Sequence, residues 1–430
     1  MRAKTDHEIR DPIHIFVHMN SDERRVLDSR PVQRLRHIHQ LGMTNLIYPG
    51  ATHSRFEHAI GTMEVASRIY DIVTDEKNRR SNFSISGTFD REYWKRVVRI
   101  AALLHDIGHP PFSHASEHLF KPEWDHERMT SEIIRSGCLD HLCKDLKVHV
   151  DDVALLAVGP GREKKGVVSN LKAILSEIVI SDSFGADRID YLLRDSYHSG
   201  VAYGRFDHYR LIETLRILPK EYEGSDEPAL GVESGGLQSA EALLLARYFM
   251  FSQLYFHPIR RIYDIHLTDF LHAILPGGTF PTDIDEYICL TDNEIMTEMY
   301  RAYRDPEHPA HEHATRIMER KHFKMLYSRN PIDSAKAPEA GKAIFDAACD
   351  HFGKENVRYD IHVQKGSDVT FPVLEMDDRV LASRDISEVL GKLPVVKIET
   401  VYIEPGLEED AKDWLHREQE GIIEAKVLRK

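Results

Sequence analysis

The stretch WKRVVRIAALLHDIGHPPFSH, residues 94–114, constrains the fold most. It is an apolar run at helical spacing that stops against two prolines and carries three histidines and an aspartate at its end. Such a helix needs other helices around it, and the chain supplies them. HAIGTMEVASRIYDIV, NLKAILSEIVISDSF, DRIDYLLRDSY and SAEALLLARYFMFSQLYF all repeat apolar residues at three-and-four spacing. Two of these helices are apolar nearly all round, which marks them as central in an all-helical core. Ahead of them, HEIRDPIHIFVHM alternates apolar and polar residues around Asp11-Pro12 and reads as a short strand or hairpin. Asn20, with Glu23 three residues later, then reads as a helix cap.

Two polar loops punctuate the helices, DEKNRRSNFSISGT (75–88) and GPGREKKG (159–166). The second carries Arg162, Lys164 and Lys165 and reads as a solvated loop or as a phosphate-facing lid. From about residue 305 the texture changes to DPEHPAHEHATRIMERKHFK, then to strand-like VVKIETVYIEP and a charged closing helix, EEDAKDWLHREQEGIIEAKV. The expected fold is therefore mainly α: a multi-helix core over residues 1–300 with a short N-terminal β hairpin, then a smaller α+β C-terminal domain over 301–430. The second domain would serve oligomerisation or regulation. There is no internal repeat.

With 42% apolar and 29% charged residues in 430, the composition is globular. No apolar run approaches the roughly 20 residues of a membrane-spanning helix, and MRAKTDHEIRDP lacks the apolar core of a signal peptide. A cytoplasmic location without a membrane partner is expected. The formal charge of −14 argues against a surface devoted to nucleic acid but leaves room for a local basic pocket. Cys138, Cys143, Cys289 and Cys349 form no CxxC pair, which suits a reducing compartment. Cys138 and Cys143 would be half a zinc site with no second pair to complete it.

Neighbours on a helix point about 100° apart, so His105 and Asp106 can grip one ion only in the wedge between their directions. Other helices must close that wedge. Imidazole with carboxylate suits a divalent Mn, Fe, Co, Ni or Zn ion, and one carboxylate also serves Mg. His109, four residues after His105, falls on the same face. Pro110 and Pro111 end the helix, so that His114 can turn back over its end. A helix C-terminus decorated with polar residues explains the dipeptide alone equally well.

The rest of the chain resembles the HD-domain metal-dependent phosphohydrolases. Their pattern is an upstream histidine, the HD pair and a downstream aspartate, which here are His58 in GATHSRFEHAIG, His105 and Asp106 in LLHDIGHPPFSH, and Asp187 in FGADRIDYLLRDS. PVQRLRHIHQLG, SRFEHAIG, DRIDYLLRDSYHSG and YFHPIRRIYD narrow the resemblance to the deoxynucleoside triphosphate triphosphohydrolase branch, over residues 7 to 275. That branch implies hydrolysis of a dNTP to deoxynucleoside and triphosphate by water attack on the α-phosphorus. A nucleoside monophosphate, a cyclic nucleotide or a nucleic-acid phosphodiester are alternative substrates, and a non-catalytic dNTP-sensing subunit is a further alternative.

Asp187, Tyr191 and Asp195 follow one another at four-residue spacing along one helix face, with Ile189, Leu192 and Leu193 toward the core. By resemblance Tyr191 packs on the sugar and Asp195 accepts the 3′-hydroxyl; Tyr191 as packing and Asp195 as an ion-pair partner is the bland alternative. Arg188 and Arg55 are placed to meet a triphosphate. Arg247 is costly in an otherwise apolar helix unless it meets an anion. The resemblance aims it at the terminal phosphate, makes Tyr255 a pocket wall, and lays Gln40 and Leu41 against sugar and base. It also makes His114 the proton donor to the leaving oxygen, helped by His109 and Glu117, with His126 completing the cluster; a helix-capping or packing role is the alternative for His126.

Many relatives are homotetramers switched on by nucleotides bound between subunits, and the resemblance implies a homo-oligomer, dimer or tetramer, here. Asp28, Gln33 and Arg36 match positions that read a guanine there, and Arg210 matches a phosphate contact. Against this, His7 stands where the family carries lysine, and Glu233 and Gly235 stand where it carries arginine or lysine. Three phosphate-binding cations are missing, and Asp28, Gln33 and Arg36 serve equally as subunit contacts.

Overall fold

A computed structural model describes residues 6–78, 89–162, 169–225, 227–364 and 369–427, and these are mainly helical. The chain forms two compact units, one of Met1–Met250, Thr279–Ile295 and Asp368–Pro394, the other of Phe251–Gly278, Met296–Ser367 and Val395–Lys430. Lys164 and Lys165 of the basic loop lie outside the described residues, and Arg162 ends a short 3-10 turn. Among the described residues no helix is long and apolar enough to cross a membrane.

The first unit opens with the hairpin read from the alternation: β1 (Asp6–Asp11) pairs antiparallel with β2 (Ile15–Asn20). Asn20 then caps the Ser21–Leu27 helix, with Glu23 returning to its backbone N–H as a capping box. Glu23 also accepts from Arg99 at 2.6 and 3.0 Å, which ties the cap to the core.

Three helices carry the site: α1 (Arg55–Val73), α2 (Arg91–Leu104) and α3 (Ala186–Ser199). α1 packs against both of the others. Every residue of α2 from Val97 to Leu104 is buried, including Arg99. Deep in α1, Gly61 has no room for a side chain, because a Cβ there would lie 1.9 Å from Asp190 Oδ1 and 2.3 Å from Arg194 Nη2. Helix α4 (Leu237–Met250) also packs on α3.

A second sheet in this unit escaped the sequence reading. Its strands run in the order Leu215–Pro219, Pro228–Glu233, Pro372–Leu374, Val380–Ala382, and the middle pair is parallel, Val232 opposite Val373. The strands are short, and the parallel pair joins distant parts of the chain, which no local pattern reports.

The second unit holds the α+β texture expected near the C-terminus. Lys397–Ile403 is the central strand between Lys324–Ser328 and Val357–Val363, both antiparallel to it. Ala340–Phe352 and Glu408–Val427 cover the sheet, with Ile344, Ala348, Val401, Ile403 and Trp414 in one apolar cluster. The long helix read over 239–256 is not uniform: α4 ends at Met250 and Phe251–Tyr255 is a π-turn. The four-residue spacing from Arg247 to Tyr255 is therefore not kept as a single helical face.

Candidate active site

α2 ends sooner than the prolines require. Leu104 is its last residue, His105 is the C-cap, and the chain turns through residues 106–108. His105 and His109 therefore do not share a helix face, which corrects the expectation drawn from their spacing. The cause is a close backbone approach at Gly108, where a Cβ would lie 2.2 Å from His126 O. Its N–H donates to Thr130 Oγ1 at 3.0 Å and its carbonyl accepts from Tyr287 at 2.7 Å.

The early stop leaves His105 and Asp106 facing His58, one turn into α1, and Asp187, in the first turn of α3. His58 Nε2 is 2.9 Å from Asp187 Oδ1 and 3.7 Å from Asp106 Oδ2, while His105 Nε2 is 3.3 Å from Asp106 Oδ1 and 3.5 Å from Asp187 Oδ1. The ligand atoms of His58, His105 and Asp106 lie within 4.8 Å of one another. All four expected metal residues thus converge.

Each imidazole is fixed from behind. His105 Nδ1 donates to Ala102 O at 2.8 Å, and His58 Nδ1 to Asp190 Oδ2 at 2.8 Å, so both present Nε2 to the cluster. His105 Nε2 is buried without a hydrogen-bond partner. Two imidazoles and two carboxylates, with one buried nitrogen unmet, are a donor set that suits a divalent metal ion. Burial pushes the His58 imidazole down, but hydrogen bonds to Asp187 and Asp190 outweigh it and raise its pKa to about 10 in the absence of a cation. Burial pushes the Asp106 carboxyl up, yet Arg55, His105 and His109 hold it well below the ordinary carboxylate range.

Asp190 was missed in the sequence. It is fully buried, and besides His58 it meets His14 Nε2 at 2.6 Å and Arg194 at 2.8 and 2.9 Å. The available signal was an acid on the core side of an amphipathic helix, four residues before an arginine.

Beside the metal cluster, His109, His114 and His126 form a second group. The His109 and His126 rings stack with centroids 4.1 Å apart, and the His114 ring meets the His109 ring edge-on at 4.8 Å. Glu117 gathers them, accepting from His114 Nδ1 at 2.9 Å and bonding His126 Nδ1 closely. Against burial, His114 and His126 hold the Glu117 carboxyl far below its ordinary range, and Glu117 raises His126. Burial, then the charges of Arg55 and His126, push His109 well down. His114 is 61% exposed on its side chain, so it is the member open to solvent.

The expected substrate residues divide. Arg55 is buried and spent on the cluster, donating Nε to Ser113 Oγ at 2.7 Å and Nη1 to Asp106. Arg188 meets Asp182 at 3.4 Å, while its Nε and Nη1 are buried without partners. Burial lowers the Arg247 pKa, as does the nearby charge of Arg188, and Arg247 bonds the Tyr191 hydroxyl. Asp195 Oδ1 accepts from His53 Nε2 at 2.8 Å. Gln40 and Leu41 are buried, and Gln40 Oε1 has no hydrogen-bond partner. Tyr255 lies in the second unit, at the end of the π-turn.

The residues expected at a regulatory site make local contacts. Asp28 pairs with Arg24 at 2.8 Å, Gln33 bonds Leu27 O and Arg36 Nε at 2.8 and 2.9 Å, and Arg36 also lies over the Phe56 ring. Arg210 donates to Gly235 O, Glu233 pairs with Arg216 at 2.9 Å, and His7 bonds Ser21 at 3.3 Å. An open depression of about 440 Å³ beside Asp28 is lined also by Arg25, Arg30, Cys138 and His141.

Residues 55–163 match the HD domain, and residues 206–342 match the HD associated region. The crystal structure of a hypothetical protein from Aquifex aeolicus resembles this fold with a TM-score of 0.79 at 32% identity, covering 95% of this chain and 100% of that one. An uncharacterised protein of Methanocaldococcus jannaschii is 35% identical over 257 residues, 60% of this chain and 47% of its own. The deoxynucleoside triphosphate triphosphohydrolase SAMHD1 of Gallus gallus is 28% identical over 371 residues, 76% of this chain and 57% of its own. The chain spans about half the length of the curated relatives it matches.

Proposed function

This chain belongs to the HD-domain family, and from that premise we propose that it hydrolyses deoxynucleoside triphosphates to deoxynucleoside and inorganic triphosphate. A phosphohydrolase of the HD type with a His/Asp metal cluster follows from the family match and the four converging side chains. The layout of α3 carries the assignment to deoxynucleoside triphosphates. Asp187 stands at the cluster, Tyr191 and Asp195 follow on the next two turns, and Arg247 bonds Tyr191. That is a nucleotide's sequence of needs: phosphate end, sugar face, 3′-hydroxyl. The similarity to proteins named deoxynucleoside triphosphate triphosphohydrolase supports it.

His58, His105, Asp106 and Asp187 would hold the divalent ion, with Mn or Mg as the first candidates. Such an ion, when bound, acidifies a water molecule and stabilises charge on a phosphate oxygen. Water attacks the α-phosphorus as the bond from phosphorus to the 5′-oxygen breaks. His114 donates its Nε2 proton to that oxygen, with Glu117 holding Nδ1–H so that Nε2 is the nitrogen presented. His109 and His126 pack the His114 ring in place. Arg188, with two buried and unmet nitrogens, and Arg247 supply positive charge to the triphosphate. Asp195, oriented by His53, accepts the 3′-hydroxyl, and Tyr191 against the sugar leaves no room for a 2′-hydroxyl. Gln40 Oε1 offers an acceptor to the sugar or base.

The test is to incubate the protein with Mn²⁺ or Mg²⁺ and each dNTP and NTP and to separate the products. Deoxynucleoside plus triphosphate, with NTPs turned over far more slowly, is the expected result. Nucleoside diphosphate plus phosphate, or no turnover of any nucleotide, overturns the proposal.

A further inference from the structure

Asp190 lies one turn past Asp187 but on the core side of α3, and all of its lone pairs are used. Oδ2 accepts from His58 Nδ1 and from Arg194 Nε, each at 2.8 Å; Oδ1 accepts from Arg194 Nη2 at 2.9 Å and from His14 Nε2 at 2.6 Å. His14, His58, Asp190 and Arg194 are all essentially sealed from solvent. A carboxylate in such a place is costly unless every acceptor site is met. Here the donors come from three separate elements.

One of those elements is the turn between β1 and β2, and it is tied in twice. His14 donates directly, and Asp11 Oδ2 accepts from Arg194 Nη1 at 2.9 Å. The other oxygen of Asp11 accepts the N–H groups of Ile13 and His14, both at 2.8 Å, so the carboxylate that holds Arg194 also shapes the turn that carries His14. Ile15 follows at φ 69°, a left-handed conformation that a β-branched residue adopts only when its surroundings impose it. Gly61 completes the arrangement, since a side chain at that position of α1 would strike Asp190 and Arg194.

We infer that this turn is a working part of the metal centre, with His14 as a positioning residue that acts on His58 through Asp190. By occupying Oδ1, His14 and Arg194 commit Oδ2 to the His58 Nδ1–H, which keeps His58 Nε2 aimed at the cation and raises its basicity. Without the His14 donor, a buried acceptor is left unmet, the carboxylate re-orients, and the grip on His58 loosens. The inference rests on the reading of His58, His105, Asp106 and Asp187 as ligands.

The experiment is a Mn²⁺ titration of the metal-free full chain, followed by the EPR signal of free Mn²⁺, alongside thermal midpoints. His14→Phe removes the donor, and His14→Gln keeps an amide N–H near the position of Nε2. The expected result is affinity lowered about tenfold in His14→Phe and near that of the unaltered protein in His14→Gln, with both variants folded at the titration temperature and the thermal midpoint of His14→Phe the lower of the two because its acceptor is unmet. If His14→Phe does not fold, His14→Asn, polar but too short to reach Asp190, is expected to show the same loss. Equal affinity in all proteins, or an equal loss in His14→Phe and His14→Gln, overturns the inference while leaving the ligand assignment intact. Unaltered Mn²⁺ binding by His58→Ala removes the ligand assignment itself, and the role of His14 with it.

Discussion

The metal cluster and the Asp28–Arg36 segment draw on the same residue types, acids with cations and polar partners, and use them in opposite ways. At the cluster both imidazoles are buried and fixed from behind, His58 by Asp190 and His105 by Ala102 O, while the front atoms converge with a nitrogen that makes no hydrogen bond. In the Asp28–Arg36 segment the pairs are local and solvent-exposed: Asp28 with Arg24 four residues back, Arg36 with Gln33 three residues back. Held geometry with unspent valence marks a site, whereas charges already satisfied by their neighbours describe a surface.

The sharpest way to break that contrast is His105→Ala. It removes a side chain whose outward nitrogen faces Asp106 and Asp187 without a hydrogen bond, so Mn²⁺ binding and turnover should both fall to background while the fold persists, checked by EPR titration, product assay and circular dichroism. Retained metal binding would show that the unmet nitrogen has no such meaning. Next in size is His114→Ala. It should lower kcat by about 10² to 10⁴-fold with Mn²⁺ affinity unchanged, because His114 belongs to the neighbouring Glu117 group. A parallel loss of metal would merge the two groups into one.

The third is a pH dependence. Without a cation, His58 keeps its second proton up to about pH 10, since Asp187 and Asp190 outweigh burial. A bound ion needs that nitrogen unprotonated, so Mn²⁺ affinity should rise about tenfold per pH unit above neutrality. The raised pKa also fixes the sign for stability. The proton's contribution to the metal-free fold is complete below the ordinary value of 6.5 and is lost as pH rises toward 10. A flat Mn²⁺ affinity between about pH 7 and 9 would contradict the grip of Asp187 and Asp190 on His58. The smallest effect belongs to the surface segment: Arg24→Ala breaks an exposed pair and should cost no more than about 0.5 kcal/mol in denaturant unfolding. A much larger loss would erase the contrast from its other side.

What the chain disclosed on its own follows the range of each signal. The hairpin and the Asn20–Glu23 capping box are written in adjacent residues and form as read. His58, the HD pair and Asp187 were reached through motif order, and the structure brings them together. The ending of α2 was misread because the prolines suggested the stop, whereas the backbone contact of Gly108 with residues 126 and 130 turns the chain earlier. Asp190 carries no local signal that marks its role, because two of its partners, His14 and His58, lie far away in sequence. The parallel pairing of Val232 with Val373 and the π-turn after Met250 are likewise tertiary outcomes that residue periodicity does not encode.

The central claim is that water attacks the α-phosphorus of a deoxynucleoside triphosphate held at the His58, His105, Asp106 and Asp187 cluster. Hydrolysis of a dNTP in water enriched with heavy oxygen, with both products weighed by mass spectrometry, tests it most directly. One heavy oxygen is expected in the released triphosphate and none in the deoxynucleoside. Label in the deoxynucleoside, or labelled monophosphate beside a nucleoside diphosphate, would contradict it.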